Sequence, residues 1–514
     1  MAPLRYIIGH GQVQSPGGRR DIMGQRTGRT VWDYVVVGGG TAGLVGARTA
    51  ASFGARVLLI ERARPGGDCL WTGCVPSKTL LAAAGVSEGR ASAAQTAPSS
   101  DAPTDQDARF TLAMTRVQDA IETIEPVDSF ASLHDDGVET IAGDATFTGR
   151  RGLLVDDRQI DFRQALIATG AAPLIPDLPG LDAVDYLTTE TIWSIDRLPA
   201  RLLIIGGGPI SCELGQAFAH LGSEVTLASR NERLLAHEDA EAAALITSAL
   251  AADGVHVRSG TAIARIQSTR TGRGGIASLS GGREIPFDAL LIATGRRPRT
   301  AGLGLSAAGV ATDERGYVVV DRHLQTGNPW IRAAGDVTPR SHHTHTAGVH
   351  GSLAASNAIL GLSRSVDDRE PARVTFTSPE LAAIGAPTDA GRTDDGTTVL
   401  VHHHEHNDRA ITAGQISGFT KLVIDRSHRI VGATVVGPRA GETLGEISLA
   451  IHQGLRTRDL ASVTHAYPTY NDAVWNAALA DVRQTLRSGA VGKATNLLSH
   501  VRRSWVRIRQ ERRR

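Results

Sequence analysis

The chain has 514 residues, 41% hydrophobic and 21% charged, and that length exceeds what one hydrophobic core serves, so several domains are expected. A net charge of +1 and an aromatic share of 4% argue against a base-stacking or sugar-binding surface, and no nucleic-acid partner is expected. Three cysteines cannot build the disulfide framework of a secreted domain, and no apolar run approaches the roughly 20 residues of a membrane span, so a reducing, cytoplasmic setting is expected.

In chain order, residues 1–30 are rich in Gly and Arg and read as a flexible leader, with Met23 a second candidate start. Residues 33–61, "DYVVVGGGTAGLVGARTAASFGARVLLIE", give a buried strand, a G-x-G-x-x-G turn at Gly38, Gly40 and Gly43, an alanine-rich helix and a second strand ending on Glu61. The glycines let backbone approach a pyrophosphate, the helix N-terminus favours its charge, and the terminal carboxylate suits a ribose hydroxyl pair. Next comes "GGDCLWTGCVPSK", residues 66–78, with four residues between Cys69 and Cys74. As a pair they are a structural staple, half of a zinc site, or a disulfide that turns over; zinc needs two further ligands and only Cys212 remains as a cysteine. Cys74 opens the helical run "CVPSKTLLAAAG", whose N-terminus favours a thiolate. Residues 87–107, rich in Ala, Ser, Pro and Asp, are expected to be a disordered insertion.

The first pattern returns at 201–230, "RLLIIGGGPISCELGQAFAHLGSEVTLASR", with Gly206 and Gly208 lying 168 positions after Gly38 and Gly40. Two nucleotide sites follow. At that offset Gly43 becomes Ser211, and Glu61 becomes Ser229, followed directly by Arg230. Losing the carboxylate removes repulsion toward a 2′-phosphate, and Arg230, with Arg233, suits pairing with it, so NADPH is expected in preference to NADH. The alternative is that Arg230 is a solvated surface residue. Near-duplicate segments "ALIATGAAP" (165–173) and "LLIATGRRP" (290–298) follow the two fingerprints and bring Thr169, Gly170 and Gly295 to strand ends, and "IRAAGDVT" (331–338) ends a strand on Gly335 and Asp336, an acid suited to a ribityl chain or ribose.

These motifs resemble the flavoprotein disulfide reductases, the family of glutathione reductase, dihydrolipoamide dehydrogenase and mercuric reductase, from about Val31 to about Ala480. The resemblance implies an α/β fold of two Rossmann-like domains, one for FAD and one for NAD(P)H, plus a C-terminal α+β dimerisation domain. The boundaries it implies are 31–183 for FAD, 184–310 for NAD(P)H, 311–370 for a return to the FAD and central region and 371–490 for dimerisation, with 491–514 left as a basic amphipathic tail. By the same resemblance Cys69 is the outer interchange thiol and Cys74 the inner charge-transfer thiol. Lys78 and Glu213 match the ion pair beside flavin N5, Asp336 contacts the ribityl-phosphate region, and His345 matches a histidine near flavin. Position 209, where many relatives carry a gating tyrosine, is Pro209.

The pattern breaks in "THAYPTYNDAVW", residues 464–475, where the family places a His-Pro-Thr acid/base donated by the partner subunit and a Glu five residues later. Tyr467 and Asp472 stand at those positions. Tyrosine titrates at about 10 and is a poor base at neutral pH. His465 is a nearby substitute or a packing residue. A tyrosine there resembles mercuric reductase, yet the expected paired cysteine at the C-terminus is replaced by "RIRQERRR". The clusters His342, His343, His345 and His402, His403, His404, His406 read as a flavin-side turn and an interface strand rather than a metal site.

The expected protein is a homodimeric oxidoreductase with its active site shared across subunits, passing electrons from NADPH through FAD and the Cys69–Cys74 pair to a small-molecule acceptor: a disulfide, a metal ion or a quinone. Two other readings are an NAD-dependent dihydrolipoamide dehydrogenase and a flavin-binding scaffold. The tail spaces Leu497, Leu498, Val501, Trp505 and Ile508 on one helical face among arginines, which suits a weak contact with an anionic membrane or packing on its own dimer.

Overall fold

The structure, a computed structural model, describes residues 31–85, 106–269, 274–340, 342–385 and 396–512. The expected leader, 1–30, and residues 87–105 of the expected insertion lie outside the described residues. Gln106 and Asp107, assigned to that insertion from sequence, instead open a helix, Gln106–Asp128, which packs Phe110, Ala113, Val117 and Ile121 into a core shared with the redox-loop helix Cys74–Ala83.

The repeat read from the sequence is a repeat of topology. In the first sheet the strands run Val138–Ala142, Val57–Glu61, Val31–Val37, Arg158–Ile167, and Ile331–Ala333 joins the last of these, all parallel. The second sheet sets His256–Arg258, Glu224–Ala228, Arg201–Ile205, Ala289–Ile292 and Leu187–Thr188 in the same order, also parallel. Register repeats with it: Tyr34 opposes Val57 as Leu202 opposes Val225, and Val37 opposes Ile60 as Ile205 opposes Ala228. Runs of β-branched and leucine residues buried on both faces are what such central parallel strands require.

Each unit carries an antiparallel excursion, Ala145–Gly149 with Gly152–Val155 in the first, and Ile263–Ser268, Gly275–Leu279 and Glu284–Phe287 as a separate meander inserted before Ala289–Ile292 in the second. The two segments after the near-duplicate Thr-Gly turns, Ala171–Pro173 and Arg296–Pro298, pair antiparallel and join the two units. A third body is a five-stranded antiparallel sheet, Arg373–Thr375, Glu380–Ile384, Ile430–Gly437, Phe419–Ile424 and Thr398–His403, with its own core under the helices Ala440–Gln453 and Asp472–Arg487. Buried charge pairs tie it to the second unit: Lys421 meets Asp239 at 2.9 Å, both almost fully buried, and Arg373 meets Glu238 at 2.7 Å. Among the described residues no helix is long and apolar enough to cross a membrane.

Candidate active site

A cleft of about 470 Å³ runs along the ends of the first sheet's parallel strands, from Glu61 past Gly38 and Gly40 to Cys69, Cys74 and Lys78, and reaches Glu213 of the second unit. Open α/β sheets bind ligands at this edge. The turn that forms its floor permits no side chains where it is tightest. A Cβ on Gly43 would lie 1.9 Å from the Gly38 carbonyl oxygen, and Gly38 itself has φ +106°. The Glu61 carboxylate accepts from the Gly39 N–H at 2.7 Å and from Ala63 N–H at 2.9 Å, which fixes it at the mouth of the turn with acceptor capacity left for ribose hydroxyls. A closed glycine cradle, a helix N-terminus and a fixed carboxylate on one cleft fit an FAD.

The redox loop is stitched in place from several directions. Trp71 donates to Pro65 O at 2.6 Å, and Trp193 donates to Thr72 O at 3.0 Å from outside the loop. Asp68 ion-pairs with Arg296, which also reaches Asp336 at 3.3 Å and donates to Ala171 O at 2.9 Å. Cys69 and Cys74 are free thiols that hydrogen-bond each other. The Cys69 thiol, burial and Thr344 (Oγ1 to Sγ, 3.2 Å) act on Cys74, and Lys78 adds a cationic charge; the balance brings its thiol down to about 6. The Cys69 thiol is pushed up by its bond to Cys74 and by burial. At neutral pH the pair therefore holds one thiolate, on Cys74, with the proton on Cys69.

Lys78 Nζ and Glu213 Oε2 meet at 2.8 Å, and the other Glu213 oxygen accepts from Phe376 N–H at 2.9 Å. One buried carboxylate thus joins the redox helix, the second fingerprint helix Pro209–Leu221 and the third body. Thr169 and Gly170 line the cleft, Thr169 donating to Arg299 O at 2.7 Å. Gly295 lies off the cleft, in a left-handed turn whose carbonyl accepts from Leu174 N–H at 2.9 Å.

At the second turn Gly206 has φ +145°, and a Cβ on Gly208 would meet nothing within 4 Å, leaving that glycine facing open space. Ser229 stands against Gly207 as Glu61 stands against Gly39, a Gly207 Cβ falling 2.5 Å from its hydroxyl. Arg230 is exposed beside it. Arg233 departs from its expected role: its guanidinium donates to Ala236 O and Glu238 O at 2.9 and 3.0 Å, which ties it to its own loop.

Three further placements differ from expectation. His345 is off the cleft, hydrogen-bonded through Nε2 to Ala372 O at 2.8 Å, while its neighbours His342 and Thr344 line the wall. The helix Thr344–Leu360 begins between them, and its first turn rotates His345 away. Asp472 is buried and accepts from Thr469 N–H at 3.0 Å; the Tyr467 hydroxyl donates instead to Asp408. An aspartate is one methylene shorter than the expected glutamate, and this one closes the turn before its own helix. His465 is held by Glu446 at 2.7 Å. Tyr467, 72% exposed and preceding a cis proline, has its hydroxyl pKa raised by the Asp408 carboxylate. Thr344 and Asp408 were missed from sequence; Thr344 lay inside the histidine run, where only the imidazoles drew attention. Among the described residues no group of three or more His, Cys, Asp or Glu could hold a metal ion.

The sequence matches the pyridine nucleotide-disulphide oxidoreductase family over residues 32–351 and that family's dimerisation domain over 371–478. It is 36% identical over 473 residues to a mercuric reductase of Bacillus cereus, covering 91% of this chain and 74% of that one. It is 34% identical over 469 residues to a dihydrolipoyl dehydrogenase of Thermus scotoductus, covering 88% and 98%. Among solved structures, the HOCl-induced flavoprotein disulfide reductase RclA from Escherichia coli superposes with a TM-score of 0.77 at 28% identity, over 87% of this chain and 99% of that one.

Proposed function

Because the chain belongs to the pyridine nucleotide-disulphide oxidoreductases, as a mercuric-reductase-like, flavin-dependent enzyme, we propose that it takes electrons from NADPH and delivers them through Cys69–Cys74 to an acceptor that demands little proton abstraction. Gly38, Gly40, Gly43 and Glu61 would hold an FAD, which would supply two-electron transfer between the nicotinamide and the disulfide.

The observation that carries this reading is the environment of Cys74, a thiolate at neutral pH beside Lys78 and Thr344 on the cleft wall. With a small disulfide as acceptor, the Cys74 thiolate takes the Cys69 proton as Cys69 attacks one sulfur and expels the first thiolate; Cys74 then attacks Cys69, re-forming the pair, and its proton leaves with the second thiol. The first departing thiolate needs a proton. We assign that supply to Tyr467 of a second copy, which the resemblance brings to the dithiol and which Asp408 keeps protonated. Oxidation of a dithiol such as dihydrolipoamide runs the other way and needs a base, which a hydroxyl held above its usual value does not provide. An electrophilic metal ion, which binds the Cys74 thiolate and displaces the Cys69 proton on reaching the second sulfur, also fits this site as acceptor.

NADPH is favoured over NADH by Ser229 at the ribose-recognising position with Arg230 exposed beside it. The test is anaerobic stopped-flow reduction of the holoenzyme with each nucleotide, following a long-wavelength thiolate-to-flavin absorbance. A band that forms faster with NADPH and vanishes in Cys74→Ser supports the path; flavin reduction without such a band would sink it.

A further inference from the structure

Past Ser488 a helix leaves the third body with its surroundings bare. Gly489, at φ +59°, turns the chain after Asp472–Arg487, and Gly489–Glu511 then runs as one helix of 23 residues, about 34 Å at 1.5 Å per residue. Gly492 is its one buried residue, seated on Arg487 where a Cβ would come within 2.6 Å of backbone. Every residue from Asn496 to Arg512 is exposed.

That exposure falls on the wrong residues for water. Val491, Leu497, Leu498, Val501, Trp505 and Ile508 are 45% to 70% exposed, and at the helical period they share one arc of about 120°. Arg502 and Arg509 both lie at one edge of the arc and stand 4.5 and 4.9 Å from the centre of the Trp505 ring. Arg503 and Arg507 occupy the opposite side. From Lys493 to the end of the sequence, eight basic residues face one acid, Glu511.

We propose that this helix is a docking surface for an anionic lipid bilayer, lying in the plane of the headgroups with its apolar arc toward the acyl chains and its guanidinium groups on the phosphates. Amphipathic helices with Lys and Arg on the polar face and Trp and Leu on the other bind membranes in this way. Charge complementarity selects this occupant over a second copy of the same helix, because a two-fold contact would set one cationic tail, with eight basic residues and one acid, against another. Nucleic acid would satisfy the arginines but leave the apolar arc wet.

The inference is independent of the electron acceptor, since its readout is location and not turnover. The full-length holoenzyme is floated with phosphatidylcholine vesicles, with and without about a quarter phosphatidylglycerol. We expect at least about tenfold more protein on the anionic vesicles, about fivefold weaker partitioning for Arg507→Gln, and loss of binding for Leu498→Asp and for Trp505→Glu. Light scattering and NADPH-driven flavin reduction, unchanged in these variants, serve as controls for assembly and folding. The proposal is overturned if the wild-type protein stays in solution with anionic vesicles, or if binding survives Leu498→Asp and depends on charge alone. It is equally overturned if Leu498→Asp changes the oligomeric mass, which would assign the arc to a second copy of the chain.

Discussion

The two βαβ units share strand order and register residue for residue, yet they present different surfaces to a nucleotide. Around the first turn the backbone is closed: Gly43 has no room for a Cβ, Glu61 is fixed by two N–H groups, and the cleft continues past the turn to the thiols. Around the second, Ser211 replaces that glycine, Ser229 replaces the acid, and Gly208 faces open space. One topology thus presents two different surfaces to a nucleotide. The distinction lies in two replaced side chains, not in the fold.

The sharpest way to break the comparison is Gly43→Ala. A methyl group 1.9 Å from the Gly38 carbonyl oxygen forces the turn apart, and overpacking of this kind costs about 1–3 kcal/mol, about ten- to hundredfold in FAD affinity. The flavin-to-protein absorbance ratio after gel filtration should fall accordingly. Ser211→Ala, at the matching position, removes a buried hydroxyl that has no hydrogen-bond partner and should leave FAD content unchanged. Equal loss in both variants would erase the distinction.

The units also differ at the next helical positions, where Val45 of the first corresponds to Glu213 of the second. Glu213 reaches across to Lys78, so the second copy supplies charge to the first copy's redox helix. Lys78 favours the Cys74 thiolate and Glu213 opposes it. The Cys74 band should therefore appear as pH rises through about 6 and be lost below it; Lys78→Met should move that midpoint upward and Glu213→Gln downward. Opposite displacements in a pH titration of the two-electron-reduced enzyme are expected. Lys78 is 37% exposed, so we expect Lys78→Met to lower stability by only about 1 kcal/mol, with the larger effect on flavin reduction.

Much of this was legible before any coordinates. The positive-φ glycine of the turn recurs, Gly38 as Gly206, and Gly40 recurs as Gly208, so the offset of 168 carried the second site and its missing acid. The contacts that escaped are those a one-dimensional pattern does not encode. Thr344 meets Cys74 across 270 residues and Asp408 meets Tyr467 across 59, and neither belongs to a periodic or glycine-marked motif. Asp472 misled because sequence position implies a reach that its shorter side chain does not have. Arg233 shows the same limit: its place near Arg230 in sequence does not encode the two carbonyls of its own loop to which it donates.

An effect of similar size comes from restoring the acid at the second turn. Ser229→Glu combined with Arg230→Ala recreates the first unit's carboxylate and removes the exposed cation. The ratio of kcat/KM for NADPH to that for NADH should fall by about 10- to 100-fold, one charge-assisted pair and one repulsion being exchanged. An unchanged ratio would place 2′-phosphate recognition elsewhere on the second unit.

The smallest expected effect tests the third body, which neither nucleotide unit duplicates. Asp408 accepts the Tyr467 hydroxyl hydrogen bond, and the carboxylate raises the energy of a phenolate beside it, so Tyr467 remains a donor through the neutral range. Asp408→Asn keeps a hydrogen-bonding group and removes the charge. The phenolate midpoint, followed by ultraviolet difference absorbance against Tyr467→Phe, should then move down toward the ordinary value of about 10. Acceptor turnover should change by only a few-fold at neutral pH, because the hydroxyl is protonated in either case, while the alkaline limb of the pH profile moves down with the phenolate. The matching substitution Asp472→Asn should leave that limb almost in place, since its carboxylate is engaged by the Thr469 N–H and touches Tyr467 only through space. A larger displacement from Asp472→Asn than from Asp408→Asn would return the acid/base partnership to the position implied by the family pattern.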